Sequence, residues 1–331
     1  MQDSAPSIES ESTLRHFTLQ EYIVHASLFI LTFLSTTFAG VLWLNKDPLE
    51  LGNFPAGLPY AALILLMLSS HEFGHFFAAR CHRVSSTLPY FIPFFIPVQA
   101  LFGLFPFGTL GAVIRLRSTI PSRKVIFDIG AAGPITGFIV SFAILAVGFA
   151  TLPPIDYLYS IHPEYAQLST IPEVGLTFGK TLFYTLAGST FAHPGAFIPP
   201  MNEIYHYPFL CVGWFGMLVT SMNLIPIGQL DGGHISYAMF GNRHHLIGQV
   251  YLIILVVLGT AGLLPLFGIP FDYGWAGWLF WALLLTMSIK VFRFARPPLH
   301  DETPLDSTRM IIGWICFLIF IGCFSPVPAH Y

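Results

Sequence analysis

The stretch LILLMLSSHEFGHFFAAR, residues Leu63–Arg80, decides the fold. It is apolar almost throughout, and with its flanks it reaches the roughly 20 residues that carry a helix across a bilayer. Its middle nevertheless holds His71, Glu72 and His75. On a helix, His71 and His75 are i and i+4, so both imidazoles face one side and can share one metal ion. Glu72 points near the same face, close enough to take a proton from water at that metal. Ionisable and metal-ligating side chains at membrane depth are expensive, and such residues are functional by default.

The rest of the chain agrees with a membrane setting. Its 331 residues are 54% hydrophobic and 9% charged, where soluble domains carry about 25% charge. A net charge of -3 argues against nucleic acid as a partner. Cys81, Cys211, Cys316 and Cys323 form no CxxC pair, which excludes a disulfide framework and a thiolate zinc site. The polar tail 1–21 lacks the basic and early apolar regions of a cleaved signal peptide, and it is too acidic for a transit peptide.

Apolar runs long enough to span lie near Tyr22–Leu44, Leu58–Ala79, Val125–Ala150, Tyr207–Ile225, Leu246–Phe267, Tyr273–Ile289 and Met310–Phe324. Placing the N-terminus inside puts 12 of the 14 Lys and Arg residues on inside segments and leaves only Lys46 and Lys180 outside. His71 then lies nine residues before the inside residue Arg80, roughly 13 Å along the helix axis. The motif is expected inside the membrane, toward the cytoplasmic face.

Two segments are not spans. Residues 88–119 are as apolar as a span, but Pro89, Pro93, Pro97 and Pro106, with Gly103, Gly108 and Gly111, would break a helix repeatedly. The end of this segment alternates, with Val113, Arg115 and Arg117 on one side and Ile114 and Leu116 on the other. Irregular backbone at membrane depth survives only against protein or a water cavity. The segment therefore reads as a re-entrant or interfacial loop ending in a β-hairpin, or as an ordinary amphipathic connector. Residues 151–206, with Asp156, Glu164, Glu173 and Glu203, form a substantial outside loop. The expected fold is all-α and polytopic, with six or seven transmembrane helices and a membrane-embedded β-hairpin or re-entrant loop.

A catalytic zinc takes three protein ligands and keeps one position open. The best source of the third is SMNLIPIGQLDGGHIS, residues Ser221–Ser236. Asp231 is favoured, because Zn²⁺ with one carboxylate and one hydroxide is neutral and suits a low-dielectric site. His234 is a rival ligand or a supporting contact. Gly232 and Gly233 let the backbone turn tightly there.

HEFGH in one transmembrane helix, with NLIPIGQLDGGH in a later one, resembles the site-2 protease family of intramembrane zinc metalloproteases. FDIGAAGPITGF (Phe127–Phe138) and GTLGAVIRLRS resemble further family segments, the latter in a branch shared by bacteria and plastids. The resemblance covers roughly residues 58–240. It implies His71, His75 and Asp231 as ligands of one Zn²⁺, Glu72 as general base, and Asn223 beside the active site. Asn223 then stabilises the oxyanion or clamps unwound substrate, or else it satisfies carbonyls freed by Pro226. No stretch resembles an inserted PDZ domain or a nucleotide-binding domain.

The expected function is hydrolysis of peptide bonds in or near transmembrane segments of membrane-protein substrates. Gly108, Gly111 and Val113 are candidate substrate-binding positions on the hairpin, whose edge can receive an extended peptide as an added strand. Arg115 and Arg117 alternatively anchor to anionic lipid. Gly133-Pro134 with Gly137 reads as a small-residue packing surface, and Asp128 as paired with Arg123 or Lys124. The expected layout is a tail (1–21), a transmembrane catalytic domain (22–296), then a cytoplasmic loop and final helix (297–331). In a prokaryote the membrane is the cytoplasmic one. A zinc-dependent lipid hydrolase would share every ligand. A metal transporter would also place ionisable residues near the midplane, but it has no use for Glu72 as a base.

Overall fold

The computed structural model describes residues 17–95, 107–271, 273–291, 301 and 303–330. Pro97, Gly103 and Pro106 lie outside them. Each of the seven apolar runs holds a helix. The first three long helices are α1 (Leu19–Leu42), α2 (Phe54–Cys81) and α3 (Arg123–Ala150). Two short helices, α4 (Asp156–Ile161) and α5 (Leu182–Phe191), lie between α3 and α6 (Pro208–Asn223). The chain continues through α7 (Asp231–Phe240), α8 (His244–Ala261), α9 (Gly277–Val291) and α10 (Ser307–Cys323). Among the described residues, four segments are long and apolar enough to cross a membrane: α1, Leu51–Cys81, α3 and Asp231–Phe267. Helices α6, α9 and α10 are apolar but shorter.

Local chemistry sets the helix starts. Thr18 and Glu21 form a capping box on α1, and the Ser122 hydroxyl accepts the Val125 N–H at the start of α3. Pro55 sits in the first turn of α2, where a missing N–H costs nothing. That helix consequently begins four residues before Leu58.

Helix α3 is the hub, packed by α2, α6, α7 and α10. Small residues let it be approached closely. A Cβ on Gly216 of α6 would fall 2.0 Å from Ser141 Oγ, and one on Gly213 would fall 2.8 Å from Leu145 Cβ.

The Pro-rich segment supplies a two-stranded antiparallel sheet of β1 (Tyr90–Pro93) and β2 (Thr109–Val113), with an irregularity between Phe91 and Pro93. Beyond β2 the pairing continues, with Thr87 N–H donating to Arg115 O and Arg117 N–H donating to Ser85 O. The partner of the alternating stretch is thus 85–90, a segment that contains Pro89. Arg117 forms an ion pair with Glu21 of α1.

Residues 151–206 are folded. They hold α4, α5, β3 (Thr177–Phe178) and short 3-10 turns at Pro163–Gln167 and Ile204–His206. Strand β3 pairs antiparallel with β4 (Ala329–His330) near the C-terminus. At the opposite pole, Asp128 pairs with neither Arg123 nor Lys124. Its carboxylate takes a two-pronged contact from Arg309 of α10, Nε to Oδ1 at 2.8 Å and Nη2 to Oδ2 at 2.7 Å. His82 Nε2 lies 2.9 Å from Oδ2. The Arg123 guanidinium instead lies over the Tyr237 ring.

Candidate metal centre

His71 and His75 occupy successive turns of α2, and both are buried. Asp231 opens α7, after the chain leaves α6 at Asn223 and turns through Pro226 and Gly228. That turn folds back on the helix it precedes. A Cβ on Gly232 would meet Leu224 O at 2.0 Å, and one on Gly233 would meet Gly228 O at 2.5 Å. The two glycines therefore serve close backbone approach, which sets the carboxylate against α2.

The three ligand atoms converge. His71 Nε2 and His75 Nε2 are 3.1 Å apart, and Asp231 Oδ2 lies 3.4 Å and 3.3 Å from them. Ligand atoms on a tetrahedron of zinc–ligand radius near 2.05 Å are about 3.3 Å apart. His75 Nδ1 donates to Ile129 O at 2.7 Å, which turns its Nε2 toward the other two ligands. Two imidazole nitrogens and a carboxylate oxygen so placed fit a zinc ion.

Helix α3 makes room for the ligands. A Cβ on Gly133 would stand 2.1 Å from His75 Nε2, and one on Gly137 would stand 3.0 Å from His71 Nδ1. The small-residue surface on α3 is thus the housing of the two imidazoles. Sequence reading located these glycines but not what they face, because the contact joins helices about 60 residues apart in the chain.

The trio opens on a cavity of about 800 Å³ whose wall includes Glu72, Val113, Arg115, Asn223 and His234. Glu72 Oε1 lies 4.0 Å from His71 Nε2, and its carboxyl faces the backbone amide of Ile114. Asn223 Nδ2 lies 3.4 Å from His71 Nε2. His234 lines the cavity but is not one of the three converging ligands. Gly111, at φ +102°, has open space where a Cβ would be. Gly108, at φ +78°, packs on α1, with its carbonyl accepting from Ser35 Oγ at 2.6 Å.

Among the described residues, no other strand pairs with the second edge of this strand. Arg115 and Arg117 direct backbone groups at the 85–87 segment. Backbone groups alternate sides along a strand, so those of Ile114 and Leu116 point the other way. Both residues line the cavity.

Comparison with known proteins adds a family. The model of peptidase family M50 matches residues 59–266. The chain is 29% identical over 246 residues to a protein named probable zinc metalloprotease EGY1, chloroplastic, of Oryza sativa, covering 68% of this chain and 39% of that one. It is 26% identical over 334 residues to the Arabidopsis thaliana protein of the same name, covering 94% and 54%. An Oryza sativa protein named probable zinc metalloprotease EGY2, chloroplastic, is 29% identical over 188 residues, covering 56% and 30%. The chain spans about half or less of the length of these relatives.

Proposed function

This chain belongs to peptidase family M50, and on that premise we propose that it is an intramembrane zinc endopeptidase. It cuts peptide bonds in or near the membrane-spanning segments of protein substrates. The carrying observation is the convergence of His71, His75 and Asp231 beside Glu72, in a cavity walled by an open strand edge. His71, His75 and Asp231 hold the ion. Zinc, when bound there, supplies Lewis-acid activation of water and of the scissile carbonyl.

The chain's own residues do the rest. Glu72 takes the proton from the attacking water and returns one to the leaving amine. Asn223 sits beside His71 and directs its amide at the developing oxyanion or at unwound substrate backbone. A helical substrate hides its carbonyls in its own ladder and must unwind before attack. The backbone groups of Leu116 and the carbonyl of Ile114 offer that unwound segment a strand partner. Val113 lines the cavity close to this edge, Gly111 leaves space beside it, and Gly108 fixes the base of the strand on α1.

The topology that supports this reading has seven crossings and an inside N-terminus. Chain-distant contacts pair residues of the same side throughout. In that topology Asp128, His82 and Arg309, which contact one another, all fall inside, as do the paired Arg117 and Glu21, while the paired strands β3 and β4 both fall outside. The catalytic core is residues 58–240 within a membrane domain of 22–296. The hairpin sits at membrane depth, with the active site toward the inside face.

The test is Glu72→Gln. Zinc content is expected to stay at the wild-type level while cleavage falls by about 100-fold or more. Membrane proteomes of cells carrying the wild type and the variant are compared, and uncleaved membrane proteins should accumulate with the variant. Unaltered cleavage removes Glu72 as the base. Zinc flux into vesicles that persists in the variant would point to a transporter.

A further inference from the structure

A second group of metal-ligating side chains converges among the described residues, on the opposite pole from Asp128. It consists of His162, Glu203 and His206. His162 follows α4, and Glu203 and His206 bracket the turn that leads into α6. His162 Nε2 and His206 Nε2 are 3.0 Å apart. Glu203 Oε2 lies 3.4 Å from His206 Nε2 and 3.8 Å from His162 Nε2. These separations bracket the roughly 3.3 Å of a tetrahedral zinc ligand set.

The atoms behind the ligands support a cation in the middle. His206 Nδ1 donates to Trp43 O at 2.5 Å, and His162 Nδ1 donates to Glu164 Oε1 at 2.9 Å. Each ring therefore turns an Nε2 lone pair inward, as metal-ligating histidines do. Glu203 is 1% exposed and His206 0%. Glu203 Oε1 accepts from the Tyr165 hydroxyl at 3.1 Å and from Asn202 Nδ2 at 3.0 Å. Glu203 Oε2, by contrast, is buried without a hydrogen-bond donor. A buried carboxylate oxygen facing two imidazole lone pairs lacks a positive charge. On the solvent side, Asn45 Nδ2 is 3.1 Å from His162 Nε2, and rotation of that amide offers its oxygen as a fourth ligand.

We propose that His162, Glu203 and His206 bind a second divalent transition-metal ion of the zinc class. It clips the 151–206 segment to the end of α1 and the start of α6. This ion has no part in the cleavage chemistry and does not depend on the peptidase reading. Two imidazoles and one carboxylate suit zinc and disfavour calcium or magnesium, which take oxygen sets.

The test is metal stoichiometry on the full chain, purified in detergent after growth with zinc. Two zinc ions per chain are expected. Glu203→Gln and the milder His162→Gln should each lower this to one, as should the double variant His71→Ala/His75→Ala. Combining the double variant with His162→Gln should leave none. In the double variant, added Co²⁺ should give the visible absorption of a four-coordinate site, which His162→Gln abolishes. That titration decides the matter if Glu203→Gln does not survive purification. One zinc per chain, lost in the double variant and unaffected at 162 or 203, overturns the proposal and leaves the first site standing. One zinc lost at 162 but kept in the double variant does the reverse. A cobalt-silent double variant shows a hydrogen-bonded triad that shares a proton and also overturns it.

Discussion

At the scale of single residues, the metal centre depends as much on side chains that are missing as on those present. Two glycines on α3 hold the space that two imidazoles fill. Gly133→Ala is expected to displace His75 and abolish both zinc retention and cleavage. Gly137→Ala, with its Cβ 3.0 Å from His71 Nδ1, should cost less of each. Metal analysis with a cleavage assay on both variants checks the order, and equal losses would contradict this account. The HEFGH motif made two ligands of the candidate metal site, and the residue proposed as base, readable from spacing alone. Asp231 was readable from charge and from the broken helix around it, while His234 remained a rival until the turn placed it on the cavity wall. The Ile129 carbonyl behind His75 left no trace in the sequence, because any residue type supplies a backbone oxygen.

At the scale of elements, the strand after β2 is where substrate geometry would be set. Leu116 bonds neither donor nor acceptor to the 85–87 segment, so a proline there breaks no pairing within the sheet. Leu116→Pro is expected to keep zinc at the wild-type level and to lower cleavage at least tenfold, with the loss appearing for transmembrane substrates. Unchanged cleavage would show that substrate does not use this edge. The apolar runs marked every major helix, since helix length and hydropathy are local properties. The pairing partner at 85–90 was not readable, because Pro89 argues against a strand and only tertiary packing overrides it. Asp128 was given the wrong partner for a similar reason. Arg309 lies 181 positions away, and local charge spacing favours the neighbours instead.

At the scale of the whole molecule, the contacts at each pole tie together chain-distant segments of one side, and one cysteine can test the proposed orientation. Cys81 is exposed at the end of α2, whereas Cys211, Cys316 and Cys323 are buried. A membrane-impermeant maleimide should label the native chain only in inside-out vesicles, and Cys81→Ser should abolish that signal. Labelling of right-side-out cells would reverse the topology.

The ligand set also has a temporal meaning. His75 and Asp231 are 156 positions apart in the chain. At about 5–20 residues per second, the ribosome needs roughly 8–31 s to pass from one to the other. Through that interval α2 can sit in the membrane with two imidazoles and a carboxyl group but without its third ligand. On the peptidase reading proposed above, a nascent chain is therefore inert while its own neighbouring helices are still being inserted. Competence arrives only when the turn after Asn223 docks, so completion of the core and acquisition of the power to cut are one event.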